Sequence, residues 1–332
     1  PHKAAGDMGG WGVSFGLIGC GWVRVLGWWV LGWGGAGDAG IHIVETVLKE
    51  ALMGSDASDV EGLWDHMYRA TLAFGRKGVV VMAMSGVDLA LWDLRGKREG
   101  KPVVGVLGGE PGEAIPTYRT GGLEGLEAAR DSGVRAFKFS IGRMDPEANL
   151  EGIVSLFAKA REVVGPDVQV MTDVGMAWDV SRTLRVAEAI AKFNLMWLEE
   201  PLPPDDWDGY EQLMLESPIP IASGEHEYTS AAFETLMQRG LHAIYQPDVC
   251  WCGGLTELVK IYQLAEKYDV RVCPHRGSEV WSLHAIAALD SVPLAESGRP
   301  WMNWVGGPEI EDGVIHLGDT PGLGVTFEAS LW

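Results

Sequence analysis

The chain has 332 residues, 47% of them hydrophobic and 22% charged, enough apolar material for one large core or two domains. Acidic residues outnumber basic ones 46 to 26, a formal net charge of −20. Such a chain cannot neutralise phosphates in bulk, which excludes nucleic acid and anionic membrane surfaces as partners.

Taken in order, residues 11–37 hold a single charge, Arg24, among many Gly and Trp. A membrane span needs about 20 consecutive apolar residues, and Arg24 together with the glycines makes a poor one. The run also lacks the pattern of a secretory leader. It reads as a hairpin of strands over 21–26 and 28–33, turning at Gly27. Residues 41–53 and 62–71 carry apolar side chains at helical spacing, with an acidic turn at 55–60 between them. A long apolar helix is predicted over 79–97, ended by Gly100 and Pro102. Residues 1–112 therefore read as an α+β domain.

The pattern then changes to alternation. Strands are predicted over 115–119, 136–140, 168–173, 194–199, 218–225, 243–246, 270–273 and 292–295. Helices over 123–132, 146–164, 181–193, 207–215, 230–240, 255–268 and 282–288 fill the intervals. Eight strands with seven helices between them predict a barrel over 113–296, with an open doubly wound sheet as the alternative. The tail 297–332 has turns and short strands and is expected to pack back on the first domain. Cys20, Cys250, Cys252 and Cys273 lack metal-site spacing and read as free thiols of an intracellular protein, which places the chain in the cytoplasm.

Each of three successive strands is mostly apolar and ends on a carboxylate. Asp173, Glu199 and Glu225 fall at even intervals of 26 residues, one strand-helix unit each. Parallel strands in a barrel aim their carboxyl ends at one face, so these side chains converge. Three converging carboxylates repel unless a cation sits among them. Hard oxygen donors without Cys or His suit Mg²⁺ or Mn²⁺ rather than Zn²⁺. Other polar residues fall at further strand ends. Lys138 and Ser140 lie on strand two, Asp248 after strand six, His275 after strand seven, and Glu296 on strand eight. A carboxylate on one nitrogen of His275 would fix its tautomer and raise the basicity of the other, which is how a general base is built. Lys138 above a barrel mouth is a candidate for binding a substrate carboxylate. Glu296 is a further catalytic candidate.

Several of these segments occur as longer motifs. Trp197-Leu-Glu-Glu-Pro-Leu, Ile221-Ala-Ser-Gly-Glu, Gln246-Pro-Asp-Val with Gly253-Gly254, and Pro274-His275 resemble the enolase superfamily, mandelate racemase branch. Val87-Asp-Leu-Ala-Leu-Trp-Asp93 and Leu107-Gly-Gly109 resemble its capping-domain helix. Within that family, Leu202-Pro-Pro-Asp, Ser223-Gly-Glu-His-Glu-Tyr and Asp248-Val-Cys-Trp-Cys-Gly-Gly-Leu-Thr are most similar to acid-sugar dehydratases of the L-rhamnonate dehydratase type.

The resemblance implies an α/β fold, a (β/α)₇β TIM-type barrel with an α+β capping domain built from 1–112 and completed by 297–332. It implies Mg²⁺ on Asp173, Glu199 and Glu225, and His275, oriented by Asp248, as the base that takes a proton α to a carboxylate. It implies that His226 faces the substrate, an acid sugar of the aldonate type; the alternative role for His226 is to cap the helix over 230–240. We expect a homo-oligomer. Racemases of this branch carry a Lys-x-Lys pair on strand two, where this chain has Lys138-Phe-Ser140. The missing second lysine removes a base from the opposite face and favours elimination over racemisation. The alternatives are another reaction of the same superfamily, such as an epimerase or cycloisomerase, or a barrel that binds an acid sugar without turning it over.

Overall fold

The computed structural model describes residues 17–18, 22–25, 28–31, 36–297 and 307–325. Strands β1 (Leu17–Ile18), β2 (Trp22–Val25) and β3 (Trp28–Leu31) pair antiparallel as one small sheet. The expected hairpin is present, with Trp22 opposite Leu31; its turn at Gly27 and residue Cys20 lie outside the described residues. The helix expected over 41–53 begins earlier and is broken. It runs as α-helix Gly37–Ile43, a π-helical turn Val44–Leu48 and α-helix Lys49–Leu52. Helix Val60–Thr71 starts where Asp59 accepts a hydrogen bond from the amide of Gly62 at 3.0 Å, an ordinary N-cap. The long helix Val79–Glu99 is buried along most of its length and stops at Gly100, whose φ of +65° suits the left-handed cap position.

Eight parallel strands follow: β4 (Ala114–Thr120), β5 (Ala136–Ser140), β6 (Gln169–Asp173), β7 (Leu198–Glu199), β8 (Ile221–Ser223), β9 (Ile244–Tyr245), β10 (Arg271–Val272) and β11 (Ala295–Glu296). They pair in sequence from β4 to β10, and β11 returns to lie parallel beside β4. Between β10 and β11 the Cys273 thiol reaches the Leu294 carbonyl at 3.4 Å. A helix follows each of the first seven strands. Several of these helices start on a capping aspartate: Asp145 before Pro146, Asp179 and Asp206 each accept from an amide in the following turn. This is the (β/α)₇β barrel, and the doubly wound alternative is set aside because β11 pairs with β4 and brings the sheet round on itself.

The barrel interior shows why the polar residues fall where they do. One residue from each strand or its edge forms an inner apolar layer: Tyr118, Ala136, Met171, Trp197, Ala222, Ile244, Cys273 and Leu294. Side chains alternate across a strand, so residues two positions further on face the same interior one layer higher. Those positions are Thr120, Lys138, Asp173, Glu199, Gly224, Gln246, His275 and Glu296. All lie at the carboxyl ends of the strands, where the barrel opens.

The tail pairs first with the barrel. Strand β12 (Ile310–Glu311) pairs with β13 (Val314–His316), and β13 runs antiparallel to β4 with Ile315 opposite Ile115. It then reaches the first domain, where the Leu323 amide donates to Asp93 at 2.9 Å and the Val103 amide to the Gly322 carbonyl at 2.8 Å. Helix Val79–Glu99 clamps the barrel through Asp88. Its carboxylate accepts from the Thr256 hydroxyl at 2.5 Å and the Thr256 amide at 3.0 Å. It thereby caps helix Leu255–Tyr268, whose own N-cap, Gly254, has no side chain to do so. A Cβ on Gly254 would sit 2.3 Å from an Asp88 oxygen, so only glycine fits there. The Trp64 indole and Ser85 hydroxyl hold both sides of the Gly253 peptide. The first domain thus fixes the loop that carries Asp248 and Trp251. Among the described residues no helix is long and apolar enough to cross a membrane, and Cys250, Cys252 and Cys273 are buried.

Candidate active site

The mouth of the barrel gathers the residues that the sequence pattern singled out. His275, just past β10, places Nδ1 at 2.9 Å from Asp248 Oδ2. The other oxygen of Asp248 accepts from the Cys250 amide at 2.8 Å, which holds the carboxylate in place. The remaining ring nitrogen, Nε2, faces Glu225 Oε2 at 3.3 Å and Glu296 Oε2 at 3.9 Å. A histidine with a carboxylate on Nδ1 presents Nε2 as the reactive atom.

Glu225 lies three residues beyond the inner-layer position Ala222, so it breaks the two-residue rule. Gly224 accounts for this: its φ is +127°, and an added Cβ would crowd Phe233 at 3.0 Å and the Gln246 amide at 3.2 Å. Glycine at that position turns the chain so that the next residue, Glu225, faces the mouth.

Lys138 was expected to face a substrate carboxylate. Its side chain is 2% exposed, and its amine lies 2.6 Å from Glu199 and 2.8 Å from Glu296. Both oxygens of Glu199 are engaged, Oε1 by Lys138 and Oε2 by the Trp197 indole at 2.9 Å and the Gln246 amide at 2.8 Å. Oε2 thus accepts two bonds, whereas Oε1 accepts one and keeps a second lone pair for a further ligand. Glu296 accepts from the Thr120 hydroxyl at 2.7 Å and from the Arg276 amide at 2.9 Å. Asp173 takes the Gly175 amide at 2.8 Å.

His226 does not cap the following helix; its Nδ1 lies 3.0 and 2.9 Å from the two oxygens of Glu200. Glu200, Glu225 and His226 each offer one ligand atom, all within 4.8 Å of one another; of the three carboxylates expected to hold a cation only Glu225 is in this group, and Asp173 and Glu199 are not. Glu200, Gln246 and Thr120 are the polar members of the site not singled out from sequence. Gln246 and Thr120 follow from the rule that places Lys138 and His275, two residues past the inner layer. Glu200 does not, since its φ of +41° turns it off the strand.

The electrostatics suit a cation. Burial pushes the carboxyls of Asp173 and Glu199 up, and neighbouring carboxylates add to the shift against the opposing pull of Lys138. Burial likewise pushes Glu225 up to about 8, with Glu200 and Glu199 adding to it and His275 opposing. Carboxylates crowded in this way hold protons unless a cation takes their place. All the donors are hard oxygens apart from His226, which fits a divalent ion such as Mg²⁺. Lys138 stays protonated: burial opposes its charge, but Glu199, Glu296 and Asp173 outweigh it. Burial also acts against charge on His275, yet Glu225, the Asp248 hydrogen bond and Glu296 raise it to about 9; a cation held by Glu225 would cancel the first of these pulls and bring Nε2 toward the neutral form that accepts a proton.

The chain is similar in sequence and fold to known proteins. Residues 123–331 match the family described as enolase C-terminal domain-like, and residues 23–108 match the mandelate racemase / muconate lactonizing enzyme N-terminal domain. This chain belongs to the enolase superfamily. Within the superfamily it is 40% identical over 312 residues to the L-rhamnonate dehydratase of Saccharopolyspora erythraea, covering 89% of this chain and 79% of that protein. The 3,6-anhydro-D-galactonate cycloisomerase from Zobellia galactanivorans shares the fold with a TM-score of 0.86 at 32% identity, covering 93% of this chain and 91% of that one. The L-talarate dehydratase of a Polaromonas species, solved with Mg and L-glucarate, gives a TM-score of 0.82 at 28% identity over 93% of this chain and 89% of that one. The superfamily's barrel and cap are those described above.

Proposed function

We propose that this enolase-superfamily protein is an acid-sugar dehydratase, a hydro-lyase that converts a sugar acid to its 2-keto-3-deoxy acid. The observation that carries the reading is the His275–Asp248 pair at 2.9 Å, with Nε2 turned to the cluster of carboxylates. The similarity to an L-rhamnonate dehydratase over most of both chains supports it. We assign 113–296 to catalysis and 1–112 with 297–332 to the cap over the mouth.

Asp173, Glu199 and Glu225 would hold Mg²⁺, with Glu200 and His226 beside them. When bound, the ion supplies positive charge where a second negative charge develops on the substrate carboxylate, the largest obstacle to removing an α-proton. His275 Nε2 takes that proton from the carbon. Asp248 keeps the ring in the tautomer whose Nε2 is free and stabilises the imidazolium that results. The imidazolium then returns its proton to the β-hydroxyl, which departs as water as the C–O bond breaks. The enol left behind tautomerises to the 2-keto-3-deoxy acid. Lys138 keeps Glu199 and Glu296 from repelling each other and the substrate. His226 faces the substrate from the Glu200 side. Ser140, in register with Asp173 and exposed, offers no second base, which favours elimination over racemisation.

A screen of sugar acids with Mg²⁺, reading 2-keto-3-deoxy products, tests this. Dehydration of at least one acid that stops in His275→Asn supports it. Racemised or cyclised products without loss of water overturn it.

A further inference from the structure

The residue after His275 has an unusual backbone. Arg276 adopts φ +52°, a left-handed conformation that residues with a Cβ rarely take. Two bonds hold it there: its amide donates to Glu296 Oε2 at 2.9 Å, and its carbonyl accepts from the Glu279 amide at 3.0 Å. Strain of this kind persists where the surroundings require a particular side-chain direction.

That direction is toward the mouth. The Arg276 guanidinium lies over the Trp251 ring, 5.9 Å from its centroid. Trp251 in turn stands 5.9 Å from the His275 ring and 5.2 Å from the His226 ring. Arg276 therefore shares a wall with both histidines of the site. Its side chain remains 29% exposed, and its nearest anion, Asp248 Oδ2, is 4.0 Å away and already bonded to His275. Among the described residues the guanidinium makes no hydrogen bond. A planar cation with five donors, stacked on an aromatic ring beside the base, matches a carboxylate bidentately.

Which carboxylate follows from the layout. The carboxylate next to the reacting carbon belongs with the acidic cluster that His275 Nε2 faces. Arg276 lies on the Nδ1 side of the same ring, near Asp248. A carboxylate at Arg276 is therefore the one at the other end of the substrate. We propose that Arg276 is a specificity-determining residue that binds the distal carboxylate of a diacid sugar, an aldarate rather than an aldonate. This deepens the proposed function, rests on its placement of the reacting carbon at His275, and departs from the aldonate-type substrate that the family resemblance implies.

Matched pairs of sugar acids that differ only in oxidation at C6 provide the test: gluconate with glucarate, galactonate with galactarate, mannonate with mannarate. For the wild type, kcat/KM with Mg²⁺ should favour the aldarate of whichever pair is turned over. In Arg276→Gly, which also relieves the backbone, the aldarate-to-aldonate ratio should fall roughly ten- to hundredfold, the loss of a hydrogen-bonded charge. Arg276→Lys should recover part of the ratio. An unchanged ratio in Arg276→Gly, or a wild type that prefers the aldonate, overturns the assignment. Calorimetric binding of the same pairs separates this from the reading it rests on. Aldarate binding that depends on Arg276, without any dehydration, sinks the dehydratase and keeps the diacid site. Aldarate binding indifferent to Arg276 sinks the diacid site whatever the turnover.

Discussion

His275 Nδ1 and Asp248 Oδ2 lie 2.9 Å apart although 27 residues separate them in the chain. Neighbouring barrel strands bring them together, and the Cys250 amide holds the carboxylate in position. His275→Asn should preserve the fold and lower kcat by about 10²–10⁴, the usual contribution of a general acid-base group. Asp248→Asn should retain partial activity, because the ring loses its orienting charge but remains. Circular dichroism would check the fold and steady-state kinetics the rest. In D₂O, recovered substrate that carries deuterium with inverted configuration would reveal a second base and defeat the single-base scheme.

A cation among Asp173, Glu199 and Glu225 should stabilise the folded chain. Ligand at a hundredfold over Kd adds about 2.7 kcal/mol, so the melting temperature of chelator-treated protein should rise on titration with Mg²⁺. Glu225→Gln should blunt the rise. Burial raises the Glu225 carboxyl to about 8 against the pull of His275, and His275 Nε2 lies 3.3 Å away, so at pH 7 the pair holds a proton that a bound cation must displace. Calorimetric binding enthalpies should therefore vary with the ionisation heat of the buffer, in the sense of proton release. Buffer-independent enthalpies would show that cation binding displaces no proton from the pair.

Much of this site could be read from the strand ends. Asp173, Glu199, His275 and Glu296 each sit two residues past an apolar inner-layer position, and that alternation is visible in the chain. Lys138 obeys the same rule, but its partners could not be read. A lysine on a strand does not announce that it will be buried between Glu199 and Glu296, which come from strands far along the chain. Glu200 escaped because its backbone conformation, not its spacing, sets its direction. The short strands β7 and β9 were predicted too long, since apolar residues flanking a buried strand look like the strand itself. The role of Asp88 was also hidden: it caps a helix 168 residues away, across the boundary between cap and barrel.

Lys138 supplies a prediction about stability rather than rate. Its amine neutralises two buried carboxylates, and among the described residues its removal leaves Glu199 without that ion pair and Glu296 with only His275 Nε2, 3.9 Å away. Lys138→Met should destabilise the chain by about 3–5 kcal/mol, the cost of breaking a buried pair from one side. Glu296→Gln in the same background should recover part of that loss, because it removes one of the uncompensated charges. Urea midpoints of the two single variants and the double variant would measure the coupling. Strictly additive effects would mean that the amine does not depend on Glu296.

His242 should make the chain acid-sensitive from within its core. It is buried, with its ring 4.7 Å from Tyr210 and 5.2 Å from Tyr245, and among the described residues its Nδ1 has no hydrogen-bond partner. Burial pushes its pKa from 6.5 down to about 3, so the unfolded chain binds a proton that the folded chain refuses. The stability this gives is complete above pH 6.5 and is lost as pH falls toward 3. At pH 4.5 the two states differ by about 2 pH units at this residue, up to roughly 2.7 kcal/mol. His242→Phe keeps an aromatic ring against both tyrosines and removes the titrating nitrogen. The variant should therefore gain on the wild type as pH falls from 7 to 4.5, read as the difference between their urea unfolding free energies. His284, also buried and pushed down to about 4, is present in both chains and cancels from that difference. Parallel stability curves for the two proteins across this range would show that His242 takes up its proton in the folded state.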